Sequence, residues 1–275
     1  MLIDPKWKVL GHDHIVWQLV RYWAALGGKK REQAEWIKVL ADSNQLATND
    51  GGLVIDRTSV ELFLQYLELR VVVFNDTFKL LRDETTALAY CRRKKLATGT
   101  TATQNKDHHQ SSKALVAAVT GVAQKVCRKL KTTFDPSPQY RCVWCNSNGL
   151  HVTARNLDGA IPSLLNPVMV WEIKEYWGKT SGGSKMSDAV YECQLVGREP
   201  RDFESKTGIR VEHIVFVDGK EQWTARQSDL KRFIDLTFQG FIDRLFVGKA
   251  VESEREPYLQ DLLSTTSTGV RPDVR

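Results

Sequence analysis

The chain has 275 residues, of which 42% are hydrophobic and 26% are charged, a composition typical of one large globular domain or two small ones. Its net charge of +6 favours a polyanionic partner such as nucleic acid. The sequence contains no apolar run near the roughly 20 residues that span a bilayer and no signal-peptide pattern, so we expect a cytoplasmic protein without a membrane segment. The five scattered cysteines argue against a disulfide framework.

The first part of the chain has the residue spacing of helices. Apolar side chains recur at helical spacing over residues 15–23, and a second helix is predicted over residues 31–40. Residues 49–52, with the sequence Asn-Asp-Gly-Gly, predict a turn. We therefore expect residues 1–97 to form a helical N-terminal domain.

A long helical region is predicted after residues 56–58, whose side chains can cap a helix N-terminus. We expect it to run to about Arg93, in two pieces that meet near Asn75. It closes with a basic cluster that begins at Arg92. Such a cluster usually lies exposed at a helix end, where it complements the helix dipole. The alternative is that Arg92 and Arg93 contact DNA phosphates.

Two segments lack any apolar period. Residues 98–112 are polar and predict a linker or a mobile loop. His108 and His109 lie in this segment, and we interpret them as exposed, with metal binding as the alternative. Residues 251–275 are predicted to form a loose C-terminal tail.

In the stretch of chain that separates these two segments, helix and strand patterns alternate. This alternation predicts an α/β fold for residues 113–250. Ser112 is predicted to cap the first of these helices, and Ser228 the last. The predicted elements are a helix at 113–132, strands at 141–145, 150–155, 158–163 and 168–176, a helix at 187–197, a strand at 209–217 and a helix at 229–247.

The strand predicted over residues 168–176 changes character along one of its faces. Side chains alternate between the two faces of a strand, and the face that carries Trp171 is apolar throughout. The other face begins with valines such as Val170 and continues with Glu172 and Lys174. A carboxylate and an ammonium group therefore lie side by side where a buried strand emerges. A structural ion pair is the alternative interpretation.

A turn upstream brings an aspartate towards this strand. The Asn-Pro pair in residues 164–167 is a turn signal. If the turn centres between residues 165 and 166, antiparallel pairing places Asp158 opposite Ile173 and between Glu172 and Lys174. Pro162 requires the strand that Asp158 begins to be short or irregular.

This set of side chains suits the hydrolysis of a phosphodiester. Two neighbouring carboxylates repel each other unless a cation neutralises them. Mg²⁺ takes oxygen ligands and is typically held by one or two carboxylates and a substrate phosphate. With Asp158 and Glu172 as ligands, the ion would polarise a phosphoryl oxygen and lower the pKa of a bound water. Lys174 would position or deprotonate that water and offset charge on the phosphorus.

Asp158 followed by Glu172-Ile173-Lys174 resembles the D…(D/E)-x-K pattern of the PD-(D/E)xK nuclease superfamily, which includes many type II restriction endonucleases. The resemblance covers residues 113–247, in the order helix, three-strand antiparallel meander, crossover helix and further strand. It implies a mixed sheet flanked by helices. It also implies that Asp158, Glu172 and Lys174 are the catalytic residues.

The chain departs from that pattern in two ways. Leu157 stands where the name of the motif has proline. Many members add an acid from the first core helix, whereas residues 113–132 contain none, so a further metal ligand is unassigned.

The implied function is the hydrolysis of double-stranded DNA with Mg²⁺, or with Mn²⁺ as a substitute, by a restriction endonuclease or a related phage-defence nuclease. Because cutting both strands needs two active sites or two events, we expect a homodimer. The alternatives are a nuclease of the same fold in repair, in recombination or on RNA, and a non-catalytic nucleic-acid-binding module.

Residues next to the predicted site also suit contacts with DNA. The Gly- and Ser-rich loop after the strand carries Lys179 and Lys185, which suit DNA backbone contacts, with an ordinary surface loop as the alternative. Glu192, on the following helix, is interpreted as a solvated residue, with an outer-sphere metal contact as the alternative. Glu175 lies on the opposite face of the strand and is not included in the site.

Overall fold

The structure is a computed structural model and describes residues 3–27, 29–48, 51–100, 111–178 and 183–267. The described helices are α1 (Pro5–Val9), α2 (Ile15–Ala25), α3 (Lys30–Ser43), α4 (Arg57–Lys79), α5 (Glu84–Arg93), α6 (Ala114–Lys129), α7 (Gly183–Thr207), α8 (Lys220–Ala225), α9 (Gln227–Phe238), α10 (Ala250–Ser253) and α11 (Arg255–Ser267). The described strands are β1 (Gln45–Thr48), β2 (Gly51–Val54), β3 (Val143–Asn146), β4 (Gly149–Val152), β5 (Gly159–Ile161), β6 (Met169–Glu175), β7 (Glu212–Asp218) and β8 (Arg244–Val247). In these parts of the chain, no helix is long and apolar enough to cross a membrane.

Aspartate caps set where the long N-terminal helices begin. As predicted, the carboxylate of Asp56 accepts the Ser59 N–H at 2.8 Å and caps α4. The predicted break near Asn75 is wrong, because Asn75 lies inside α4. The helical region divides at residues 80–83 instead, where Asp83 accepts the Thr86 N–H at 2.7 Å and starts α5.

The N-terminal part also contains a hairpin that helical spacing did not predict. β1 and β2 pair antiparallel on either side of the predicted turn, with Thr48 opposite Gly51. Asn44, in the left-handed conformation, ends α3 and leads the chain into β1. Residues 49 and 50 of the turn lie outside the described residues.

The central sheet confirms the α/β class and is mixed, with strand order β5-β6-β7-β8. β5 runs antiparallel to β6, whereas β6, β7 and β8 are parallel to one another. The predicted three-strand antiparallel meander is wrong, because β3 and β4 form a separate two-stranded sheet.

Helices cover both faces of this sheet. On one face, Trp171 and Phe216 pack in a cluster with α5, α6 and α11. On the other face, Val215 and other β7 and β8 residues pack with α7, α9 and the N-terminal helices. Trp17 of α2 and Phe233 of α9 belong to this second cluster, so residues on both sides of the predicted boundary at residue 97 share one core.

Two predictions about the C-terminal part are wrong. The helix predicted over residues 229–247 ends at Phe238, and the buried run Arg244–Val247 is the edge strand β8. A short, fully buried apolar run fits a helix and a strand equally well. The tail predicted from residue 251 is not loose where the structure describes it, since Leu259 and Leu263 of α11 are buried.

The start of α6 depends on a residue from β6. Ser112 was predicted to cap this helix, but its cap position is held by Lys113 without a side-chain hydrogen bond. The carboxylate of Glu175 accepts the N–H groups of Leu115 at 2.8 Å and Val116 at 3.4 Å instead. Of the predicted linker before α6, residues 101–110, which include both histidines, lie outside the described residues.

Candidate active site

The two polar side chains of β6 form an ion pair beneath α7. Lys174 Nζ donates a hydrogen bond to Glu172 Oε2 at 2.7 Å, and the two residues are 5% and 0% exposed. Val170, on the same face of the strand, packs against Val196 of α7. β6 pairs with a strand on each side, so the alternation of its side chains directs both charged groups under the helix. The face therefore changes from apolar to charged, as predicted.

Asp158 lies directly before β5 and bonds to the backbone of β6. Gly159 pairs with Trp171, which places Asp158 level with Glu172 rather than opposite Ile173, so the predicted register is wrong by one residue. The Asp158 N–H donates to the Trp171 carbonyl at 3.1 Å, and Asp158 Oδ2 accepts the Ile173 N–H at 2.7 Å. The structure therefore brings Asp158, Glu172 and Lys174 together.

The two carboxylates of this group are only partly neutralised by the cations around them. Burial, with added repulsion from Glu172, raises the pKa of Asp158 to about 6. Glu172 Oε1 is buried and has no hydrogen-bond partner among the described residues. A buried carboxylate oxygen without a donor is costly, and a second carboxylate nearby increases that cost. A cation between Asp158 and Glu172 would reduce the cost of the unpaired oxygen and the repulsion between the two carboxylates.

Mg²⁺ fits the donors that these residues offer. Asp158 and Glu172 supply carboxylate oxygens, and Mg²⁺ is typically held by one or two carboxylates with water and substrate phosphate. Within the described ranges, no group of three or more His, Cys, Asp or Glu side chains is placed to hold a metal ion. The two acids are thus the candidate ligands, and the further ligand stays unassigned.

Two charged residues outside the motif complete the site. Lys174 Nζ also donates to Glu192 Oε2 at 3.0 Å, and Arg155 Nη1 lies 2.5 Å from the same oxygen. Arg155 Nε lies 3.9 Å from Glu172 Oε1. Glu192, interpreted as a solvated helix residue, is partly exposed and also contacts two cations of the site.

A sequence signal existed for one of these two residues. Glu192 directly precedes Cys193, which is buried on the apolar face of α7, so Glu192 borders the side of the helix that faces the sheet. Arg155 had no such signal, because it lies between two short strands in a segment without periodicity.

Lys174 is held in its charged form. Burial disfavours the ammonium group, but attraction from the carboxylates of Glu172 and Glu192 outweighs burial and raises the pKa of Lys174. Burial also raises the pKa of the Cys193 thiol, so at neutral pH the negative charge near Lys174 comes from the carboxylates. Lys174 is therefore a hydrogen-bond donor and a positive charge in this structure.

The residues predicted to contact DNA lie in different places. Lys185 is exposed on α7, seven residues before Glu192 and so on nearly the same side of the helix. Arg92 and Arg93 are exposed at the end of α5, which packs on the opposite face of the sheet, and Arg93 pairs with a carboxylate of α10 at 3.3 Å. Lys179 lies outside the described residues. The structure thus places Lys185 on the site's face of the sheet and the two arginines on the other.

The comparisons identify one family. A family described as a domain of unknown function, DUF7687, matches residues 78–262, about two thirds of the chain, and the chain belongs to this family. The matched region begins at the end of α4 and contains all five charged residues of the site. No curated protein and no solved structure matches the chain.

Proposed function

We propose that this member of the DUF7687 family is a Mg²⁺-dependent endonuclease that hydrolyses phosphodiester bonds of double-stranded DNA. One observation carries the proposal: Glu172, paired with Lys174 and next to Asp158, keeps a buried carboxylate oxygen without a hydrogen-bond donor. A purely structural ion pair is expected to satisfy both oxygens of its buried carboxylate. The open oxygen instead favours a site that receives a cation.

Each residue has a distinct role in this proposal. Asp158 and Glu172 would hold Mg²⁺, which when bound supplies a Lewis acid that lowers the pKa of a coordinated water. Lys174 offsets the negative charge of the phosphoryl group and donates a hydrogen bond to it, because its raised pKa keeps it protonated. Glu192 holds the ammonium group of Lys174 in place from the side of α7.

The charge of the chain and the exposure of the site support a nucleic-acid substrate. The net charge is +6, and exposed Lys185 lies on the same helix as Glu192. The site reaches solvent at Arg155 and Glu192, whose side chains are 34% and 40% exposed. A phosphodiester can therefore approach from this side.

The fold and the biological role proposed here rest on the resemblance to the PD-(D/E)xK superfamily. On that basis the sheet is restriction-endonuclease-like, and the protein is a homodimeric restriction endonuclease or a related phage-defence nuclease. A role in repair or recombination, or on RNA, is the second candidate. The active-site chemistry is the same for both.

Cleavage of supercoiled plasmid by the full chain tests the chemistry. Cleavage is expected with Mg²⁺ or Mn²⁺ and not with EDTA. Glu172→Gln and Lys174→Ala should each lower the rate at least about 100-fold, because each removes a group that stabilises charge in the transition state. Circular dichroism of each variant establishes that it is folded. The matched control is Glu256→Gln, which removes a partly exposed carboxylate paired with Lys125 on the opposite face of the sheet.

Folded Glu172→Gln and Lys174→Ala proteins that cleave as fast as the parent would overturn the assignment. Methylated DNA, unmethylated DNA, single-stranded DNA and RNA then separate the roles. Discrete fragments that depend on methylation indicate restriction, whereas cleavage without sequence preference indicates repair or recombination. Binding without cleavage of any substrate would show a non-catalytic module.

A further inference from the structure

The positive charge of Arg155 faces Glu172 Oε1, the buried oxygen that has no hydrogen-bond donor among the described residues. Its Nε is 3.9 Å from Glu172 Oε1, which is beyond hydrogen-bonding distance. Its Nη1 is 2.5 Å from Glu192 Oε2, so the guanidinium group is held by Glu192 and only approaches Glu172. The guanidinium group therefore partly neutralises the charge of Glu172, but it donates no hydrogen bond to Glu172 Oε1.

The side chain of Arg155 borders solvent. It is 34% exposed, whereas the side chains of Glu172 and Lys174 are 1% and 6% exposed. The residue lies between β4 and β5, outside regular secondary structure, and its carbonyl accepts a hydrogen bond from Thr153 Oγ1 at 2.8 Å. The backbone is thus anchored while the long side chain borders solvent, so rotation about its side-chain bonds can carry the guanidinium group outwards.

Charge balance links Arg155 to the divalent ion. In the structure, the two cations Lys174 and Arg155 face the carboxylates of Asp158, Glu172 and Glu192. A divalent ion beside Asp158 and Glu172, together with Lys174, would balance the charge of these three carboxylates without Arg155. It would also repel a guanidinium group less than 4 Å from one of its ligand oxygens. The ion and Arg155 therefore compete for the same carboxylate.

We propose that Arg155 is an exchangeable counter-ion: it neutralises the acidic site in the free protein, the divalent ion displaces it, and the released guanidinium group binds a phosphate of the DNA. The inference rests on the proposed function. Arginine suits this second role because its planar donors pair with two phosphate oxygens at once. Exchange raises the positive charge beside the three carboxylates from two, with Lys174 and Arg155, to three, with Lys174 and the divalent ion.

The first step, displacement of Arg155 by the ion, is tested by measuring Mn²⁺ binding to the full chain without DNA by calorimetry. Arg155→Gln should bind Mn²⁺ roughly fivefold more tightly than the parent, the size expected for the loss of one partly exposed competing charge. Arg155→Lys keeps the charge and should bind Mn²⁺ about as the parent does. The matched control is Arg198→Gln, which removes an exposed arginine of α7 paired with Asp202 at 3.6 Å.

The second step, binding of the released guanidinium group to a DNA phosphate, is tested by measuring the binding of a DNA duplex in Ca²⁺ by fluorescence anisotropy. Arg155→Gln should bind the duplex roughly tenfold more weakly, because one charge-assisted phosphate contact is lost. Arg155→Lys should recover part of that affinity. The expected signature is therefore tighter metal binding together with weaker DNA binding in a single variant.

The results that overturn this inference differ from those that overturn the proposed function. Unchanged or weaker Mn²⁺ binding by Arg155→Gln shows that Arg155 does not compete with the ion, and unchanged duplex binding shows that it does not bind phosphate. Either result rejects the exchange while leaving a cleaving parent enzyme intact. A parent protein that binds no Mn²⁺ and cleaves nothing rejects the proposed function itself.

Discussion

The partly buried carboxylate of Glu175, on the apolar face of β6, makes stability depend on pH. It accepts the N–H groups of Leu115 and Val116 at 2.8 and 3.4 Å and the Trp177 indole N–H at 2.5 Å. Burial nevertheless raises the pKa of Glu175 from 4.5 to about 7, against the effect of these hydrogen bonds. Glu175→Gln keeps the size of the side chain and one acceptor oxygen, and it removes the titration.

The sign of the effect follows from which state binds the proton more tightly. The folded state holds the proton of Glu175 up to about pH 7, whereas the unfolded chain loses it near pH 4.5. The contribution to stability is thus fully present below about pH 4.5, decreases as pH rises and is lost above about pH 7. A shift of this size corresponds to roughly 3 kcal/mol over the whole interval.

Urea unfolding of the parent and of Glu175→Gln, at pH values from 5 to 8, measures this contribution. The parent should lose about 2–3 kcal/mol of stability relative to the variant between pH 5 and pH 8. Other titrating groups are common to both proteins and cancel in the difference. A difference that stays constant, or that grows in favour of the parent with pH, would refute the reasoning. It would mean that the amide and indole donors stabilise the carboxylate more than burial penalises it.

Three further predictions concern packing, a buried ion pair and DNA binding. Gly159→Ala would place a Cβ 1.9 Å from the Trp171 indole, so urea unfolding should show a loss of about 1–3 kcal/mol and plasmid cleavage should slow. Asp235→Ala leaves Arg70 buried without the carboxylate that it contacts at 2.6 and 2.7 Å, and thermal unfolding should show a loss of about 3–5 kcal/mol. Lys185→Ala should lower the salt dependence of duplex binding by about one unit in the log–log slope, measured by anisotropy.

Each of these predictions has a matched control. At Gly149 an added Cβ meets no atom within 4 Å, so Gly149→Ala should cost much less than Gly159→Ala, and equal costs would contradict the steric argument. Asp76→Ala removes an exposed partner of Lys79 and should change stability by less than about 1 kcal/mol. Lys38→Ala, an exposed lysine of α3, should leave the salt slope unchanged, and an equal decrease would show that Lys185 has no special position.

Much of the local structure was predictable because its causes are local. The Asp56 cap, the helical spacing in α2 and the alternation along β6 each depend on backbone geometry over a few residues. The same alternation placed Glu172 and Lys174 on one face of β6. Their contact at 2.7 Å is within reach of two long side chains on one face of a strand.

The position of Asp158 relative to β6 was predictable only to within one residue. Hairpin pairing brought it to β6, but Gly159 sets the register by lying against the Trp171 indole, where any side chain would clash. That contact depends on the packed ring, which a turn signal does not describe. β8 was missed for a related reason, since a short buried run has no periodicity that separates strand from helix.

The sequence by itself determined that a carboxylate and an ammonium group emerge together from one buried strand, with an aspartate nearby. Only the tertiary structure decided what surrounds them: Glu192 arrives from α7, Arg155 from an irregular segment, and Glu175 reaches α6 on the other side of the sheet. The physical reason is distance along the chain. Spacing indicates which neighbours share a face, whereas contacts between residues 18 to 60 positions apart exist only after helices have packed on the sheet.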